Sequence, residues 1–210
     1  MSVYRHIIRE KNRSQEIGDT VTDDGNIVVL VERSAKDDFE AFGELYNIYL
    51  DRIYRYVFYH VKDKMTAEDL TEEIFMKAWK SIGKYRGKGQ LFSSWLYRIA
   101  HNHVIDSFRT NRQNVSLHMD PPTYGHDPVL EAERYSMQQK IRELISYLPH
   151  QQKQVVILKF IEGLDNHEIG AITRKSQGAI RAIQMRALAT LRKKLKEQEV
   201  GEWILSYQKP

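Results

Sequence analysis

Cysteine is absent from all 210 residues of this chain. That excludes a disulfide framework, a thiolate metal site and a cysteine nucleophile, and it is the usage expected of a reducing, cytoplasmic compartment. Long apolar runs are missing as well. The longest, Ile27 to Val31, falls far short of the roughly 20 residues that cross a bilayer, so no membrane insertion is expected. The opening stretch, MSVYRHIIREKNRSQEIGDT, is too charged for a secretory signal. No segment alternates apolar and polar residues, so no strand is expected. Internal repeats and low-complexity tracts are also lacking. Proline is scarce, and Pro121, Pro122 and Pro128 fall in one short polar stretch with Gly125, which reads as a linker.

Hydrophobic residues at 41% suffice for modest cores in one domain or two small ones. The net charge of +4 is only mildly basic, but its distribution is uneven. Between Lys84 and Arg112, six bases (Lys84, Arg86, Lys88, Arg98, Arg109 and Arg112) face one acid, Asp106. A cluster of this kind suits a polyanion.

The periodicity is helical throughout. Residues 1–25 read as a loose extension and 27–35 as a short helix. Phe39, Phe42, Leu45, Tyr46, Tyr49, Ile53, Tyr56 and Val57 recur at three and four, giving a long amphipathic helix. Thr66 with Asp69 resembles a capping box at the start of a helix that runs to about Ile82. Gly83, Gly87 and Gly89 break it, and Ser93 or Ser94 can cap the next helix, which carries Trp95, Leu96, Ile99, Ala100, His103, Val104 and Phe108. After the linker, Ile141, Leu144, Ile145 and Leu148 line a helix stopped by Pro149. Val155, Val156, Leu158 and Phe160 line another, ending near Gly163. Asp165 or Asn166 caps a short helix, and Ser176 caps a longer one. The expected fold is all-α: a helical bundle (26–112), a linker (113–134) and a helix-turn-helix domain (135–197), with terminal segments at 1–25 and 198–210.

The short helix, tight turn and longer basic helix have the helix-turn-helix layout. Arg181, Gln184, Met185, Arg186 and Gln177 would face outward. Arg and Gln side chains pair bidentately with guanine and adenine edges, each good pair contributing about 1–3 kcal/mol of discrimination. Arg174 and Lys175 fall in the turn, where phosphates would lie. In the first domain, Trp95, Tyr97, Arg98, His101, Asn102 and Asp106 cannot all be buried on one helix. Aromatic, amide and guanidinium groups are what unstacked bases need. Core packing is the competing role for Trp95. Asp69, Glu72 and Glu73 form an acidic patch on the preceding helix, which on its own reads as a solvated face.

Signals for an enzyme fail. His167-Glu168 opens like a zinc protease motif, but Ala171 stands where the second ligand belongs. His101 and His103 point to different helix faces, so no metal or other cofactor is expected. Gly83 to Lys88 has neither the spacing nor the Ser/Thr of a phosphate loop. The chain is expected not to be an enzyme.

Four segments in order, FEAFGELYNIYLDRIYRYV, AEDLTEEIFMKAW, FSSWLYRIAHNHVIDSFR and YLPHQQKQVVILKFIEGLDNHEIGAITRKSQGAIRAIQMRALATLRKKL, resemble a bacterial sigma factor of the extracytoplasmic-function group, over residues 35 to 196. The resemblance implies a transcription initiation factor that binds core RNA polymerase, directs it to particular promoters and promotes their melting. Asp69, Glu72, Glu73 and Phe75 would contact the β′ clamp helices. Trp95, Tyr97, Arg98, Asn102, Asp106, Arg109 and Arg112 would hold the opened strand of the −10 element. The second domain would sit on the β flap and read the −35 element through Arg174, Lys175, Gln177, Arg181, Gln184, Met185 and Arg186. Family members are commonly held by an anti-sigma protein, which makes one a further candidate partner. Gly170 replaces a usual Ala, at about 1 kcal/mol of helix propensity. The alternative from another class is a stand-alone helix-turn-helix regulator of duplex DNA, which needs neither the acidic helix nor the aromatic one.

Overall fold

The computed structural model describes residues 24–61, 63–87, 92–110, 137 and 139–207, and among them every regular element is helical. The segments 1–23 and 111–136, which hold most of the N-terminal extension, Arg112 and most of the linker, lie outside the described residues.

Helix α1 (Asp24–Ser34) presses Ile27, Leu30 and Val31 onto α2 (Phe39–Val61). Asp38 fixes the junction: its Oδ1 accepts the Ala41 N–H at 3.0 Å, and Arg33 Nε donates to Oδ2 at 2.8 Å. Satisfying an otherwise orphaned amide in this way is what an N-cap does. The same Ala41 hydrogen bond, followed by that from Arg33, lowers the Asp38 pKa from its ordinary value.

Helix α3 (Lys64–Ile82) starts earlier than the sequence suggested. Asp63, not Thr66, is its cap, accepting the Thr66 N–H at 2.8 Å, while the Thr66 hydroxyl bonds the same carboxylate. Helix α4 (Phe92–Thr110) likewise begins before either serine. Phe92 is buried, with its ring 5.4 Å from that of Tyr49, and this packing draws the first turn onto the bundle with Ser94 buried inside it.

In the second half, residues 139–146 are helical, and Pro149 precedes α5 (His150–Val156). A π-helical turn, Ile157–Ile161, follows directly. Gly163, at φ 73°, then reverses the chain in a conformation only glycine adopts cheaply. Helix α6 (Asn166–Thr173) has a complete capping box between Asp165 and Glu168. Arg174, at φ 57°, makes the turn, and α7 (Gln177–Tyr207) follows, with Ser176 Oγ accepting the Ala179 N–H at 3.3 Å. Ile169, Ile172, Ile180 and Ile183 are buried between α6 and α7, as their spacing predicted.

The two halves share an interface. Helix α4 lies along α6, and α2 meets the π-helical turn. Tyr56, Tyr97, Ile157 and Leu158 are essentially inaccessible there.

Candidate nucleic-acid interface

Helix α4 sorts its residues by face. Leu96, Ala100 and Val104 point into the bundle and are buried, whereas Arg98, Asn102, Asp106 and Arg109 are all exposed. Their spacing of four, four and three places them on one stripe along the outer side. At its N-terminal end the stripe meets a cavity of about 360 Å³ lined by Lys84, Tyr85, Arg86, Gly87, Ser94, Trp95, Arg98 and Ala171. Trp95 is half-buried, its ring 5.1 Å from Tyr85 and 5.4 Å from Phe92. It packs against the bundle and also shows surface. A Cβ at Gly87 would collide with the outer end of the Tyr85 ring, so any side chain there would have to displace that ring from the cavity wall. The Ser94 hydroxyl is buried with no protein partner. Three cations, two aromatic rings and an unsatisfied hydroxyl suit an anionic, flat-faced ligand such as a nucleotide. Lys84, Tyr85 and Arg86 were not singled out individually from sequence, although Lys84 and Arg86 belong to the basic cluster.

Tyr97 is placed differently. It is fully buried, and its hydroxyl donates to Glu162 Oε2 at 2.7 Å. Burial and the adjacent Glu162 carboxylate push its phenol far above the usual range, so it remains a donor. In this arrangement it cannot touch a strand. Glu162 was not foreseen as a functional residue. Its side chain is 0% exposed, and Arg55 grips it through Nε to Oε1 at 2.9 Å and Nη2 to Oε2 at 3.0 Å. Arg52 Nη2 donates to the Glu162 carbonyl at 3.2 Å. The π-helical turn aims the carboxylate: the Glu162 N–H bonds Ile157 O at 3.0 Å, five residues back, and this wider turn rotates residue 162 inward.

A second polar group spans the halves. His101 Nδ1 accepts from Gln154 Nε2 at 2.6 Å, and Lys153 Nζ donates to His60 O at 3.1 Å. The His60 and His150 rings lie 6.0 Å apart. Burial, then Lys153, His150 and His101, lower the His60 pKa well below its ordinary value. Burial and His150 lower that of His101 to about 4.

On α3, Asp69, Glu72 and Glu73 are exposed beside Met76. Glu73 also pairs with His103 Nε2 at 2.6 Å, tying α3 to α4. His101 and His103 do serve different faces. Phe75, expected at a partner surface, instead packs in the core 4.6 Å from the Tyr46 ring and is only 4% exposed. The large apolar side chains that α3 does show are Met65 and Met76, with Phe39 exposed at the start of α2.

In the helix-turn-helix, Arg174, Gln177, Arg181, Met185 and Arg186 are exposed and Lys175 is half-exposed. Gln184 is partly buried and donates to Asn166 Oδ1 at 2.9 Å, which makes it a brace between α7 and the start of α6. Gly170 has a steric reason. A Cβ there would lie 2.8 Å from Lys175 O, where the turn folds back onto α6.

Comparison with known proteins shows the same two-part layout. Residues 45–114 match the Sigma-70 region 2 family and residues 144–193 match Sigma-70, region 4. The chain is 34% identical over 174 residues to the ECF RNA polymerase sigma factor BldN of Streptomyces coelicolor, covering 81% of this chain and 66% of that one. It is 32% identical over 162 residues to the ECF RNA polymerase sigma factor SigX of Bacillus subtilis, covering 73% of this chain and 83% of that one. Among solved structures, CnrH in complex with the cytosolic domain of CnrY is similar at a TM-score of 0.66 and 20% identity, covering 82% of this chain and 98% of that one. At that identity the likeness speaks for the fold.

Proposed function

The chain belongs to the extracytoplasmic-function (ECF) group of RNA polymerase sigma factors, and from that premise we propose how its surfaces divide the work of transcription initiation. The acidic face of α3 (Asp69, Glu72 and Glu73, with Met76 beside them) docks the chain on core RNA polymerase. Phe75 supports that face from beneath. The stripe Arg98, Asn102, Asp106 and Arg109, with the Trp95 and Tyr85 cavity at its end, holds the unpaired strand of the −10 element. The helix-turn-helix reads the −35 duplex in the major groove with Arg181, Met185 and Arg186, while Arg174 and Lys175 meet phosphate.

Melting follows from differential binding. Unstacking a base costs a few kcal/mol, and stacking on aromatic side chains returns about 1–3 kcal/mol per base. Contacts made only to the open strand therefore favour opening without nucleotide hydrolysis, and the chain needs no catalytic group of its own.

The observation that carries this reading is the α4 stripe: amide, guanidinium and carboxylate groups are exposed in line with a basic, aromatic cavity. The test is to mix the chain with bacterial core RNA polymerase, confirm co-elution on size exclusion, and transcribe a library of genomic fragments. Sequence-selective transcripts are expected, and Arg98→Ala with Asn102→Ala should retain co-elution but lose strand opening, read by permanganate footprinting. Opening undiminished in the double variant would refute the strand assignment.

A further inference from the structure

The cavity at the end of the α4 stripe is assembled from both halves of the chain. The first turns of α4 supply Ser94, Trp95 and Arg98, the loop after α3 supplies Lys84, Tyr85, Arg86 and Gly87, and Ala171 of α6 adds a further wall. A strand running along α4 gains nothing from a wall on the helix-turn-helix half, whereas a small ligand held inside does. The lining is one-sided in charge, with three cations and no acid. Lys84, Arg86 and Arg98 are exposed, and among the described residues none of them is in an ion pair. Arg86 Nη1 donates to Gly83 O at 3.0 Å, which ties that guanidinium to its own loop. Arg98 lies near enough to Tyr85 to offset part of the rise that burial gives its phenol pKa.

The Ser94 hydroxyl in the cavity wall is buried without a protein partner, on a residue only 6% exposed. Buried hydroxyls are nearly always hydrogen-bonded, so an unpaired one in a cavity wall marks a place for a ligand oxygen. Ser94 also belongs to the first turn of α4, where the helix dipole favours an anion. Tyr85 and Trp95 are half-buried, and their planes lie at 52°, so they are not stacked on one another. Cations serve phosphate and an unstacked aromatic face serves a base. The volume of about 360 Å³ falls at the lower end of small-molecule sites and suits one nucleotide.

We propose that this cavity is a site for a free nucleoside di- or triphosphate. The base lies against Trp95 and Tyr85, the phosphates meet Lys84, Arg86 and Arg98, and Ser94 bonds a phosphate oxygen. A bound nucleotide engages Arg98 and Trp95 and so withholds them from the −10 strand. Ala171 contributes its wall only while the halves are packed together, so the ligand and the strand favour different arrangements and oppose one another by linkage. Binding rests on the cavity alone. Competition rests also on the assignment of the α4 stripe and its cavity to the −10 strand.

Isothermal titration calorimetry of the full-length chain, without polymerase, should show saturable one-to-one binding of ADP and ATP. Adenosine, which lacks phosphate, and inorganic triphosphate, which lacks the base, should each bind at least tenfold more weakly than ATP. Ala171→Glu sets a carboxylate in the cavity wall at an exposed helix position and should weaken ADP binding at least tenfold. Arg98→Ala, which leaves that wall intact, should do likewise. Ala189→Glu adds the same charge at an exposed position of α7 outside the cavity and should change nothing. Circular dichroism confirms that the variants fold. No saturable binding, inorganic triphosphate as tight as ATP, or equal weakening by the two glutamate variants would overturn the site.

A second measurement separates competition from the function beneath it. ADP is no substrate for RNA chain growth, so it can be added to an opening assay. Saturating ADP should reduce promoter opening by the chain with core polymerase at least tenfold, read by permanganate footprinting, and adenosine should not. Opening by the same core with an unrelated sigma factor should be untouched. Opening undiminished by ADP, or lost equally with the other factor, would sink the competition. A chain that opens no promoter even without nucleotide would count instead against the assignment of these surfaces to strand opening.

Discussion

Asp69 stands clear of the core on α3, with Glu72 and Glu73 completing the exposed acidic face. Asp69→Arg reverses charge where a basic partner surface would dock and removes no buried contact. It should abolish co-elution with core polymerase while moving folding stability by no more than about 0.5 kcal/mol, as surface changes usually do, which chemical denaturation checks. Gly170 is the opposite case. Its helix propensity argues for replacement, but the Lys175 carbonyl would stand 2.8 Å from a new Cβ. Gly170→Val should cost about 1–3 kcal/mol, the range for overpacking, and urea denaturation measures it. The propensity deficit was legible in the sequence. The reason for it was not, because the crowding atom belongs to the turn after α6.

Helices α6 and α7 show how an element's geometry reassigns residues of equal promise. Arg181, Gln184 and Arg186 all suit base edges by type, yet Gln184 is occupied with Asn166. Gln184→Ala should lower stability by about 1 kcal/mol, one net hydrogen bond, and leave promoter preference unchanged. Arg181→Ala or Arg186→Ala should instead weaken −35 duplex binding by about 1–3 kcal/mol at the base each reads. Arg174→Ala should weaken all sequences alike and reduce the salt dependence of binding by about one unit of slope. Titrations of duplex DNA at several salt concentrations separate the three outcomes. Most elements were readable: α2 and the body of α7 follow from apolar spacing. Of the two caps offered for α6, Asp165 or Asn166, it is Asp165 that serves, in a capping box with Glu168 that was not expected. Helix α7 also runs on to Tyr207, past the expected domain end at 197. The starts of α3 and α4 were misplaced, because Asp63 competes better than Thr66 for the free amides and because Phe92 is pulled into the core.

The seam between the halves should respond to acid. His60 comes from α2, His101 from α4 and His150 from α5. They face Lys153, Gln154, Tyr56 and Phe108, and burial is the first cause lowering each histidine pKa. A histidine depressed in the folded state binds fewer protons there than when unfolded, so its contribution to stability is whole above about pH 6.5. That contribution is lost progressively as pH falls from there toward about 4, the value His101 reaches. The thermal midpoint should therefore drop between pH 7 and pH 5, and His101→Gln should flatten the drop. An unchanged slope in that variant would show that His101 is not the responsible group.

Helical class, the positions of the turns, the acidic face of α3 and the basic helix-turn-helix all follow from residues a few positions apart, where periodicity and capping act, and they could be read from the amino-acid order. The burial of Tyr97, the bracing role of Gln184 and the cavity wall supplied by Ala171 could not. They depend on groups brought together from distant parts of the chain, as when Arg55 meets Glu162 across 107 positions. A π-helical turn aims that carboxylate, and nothing in the local spacing announces it. Short-range order shapes each helix, but which face it hides is settled by what packs against it.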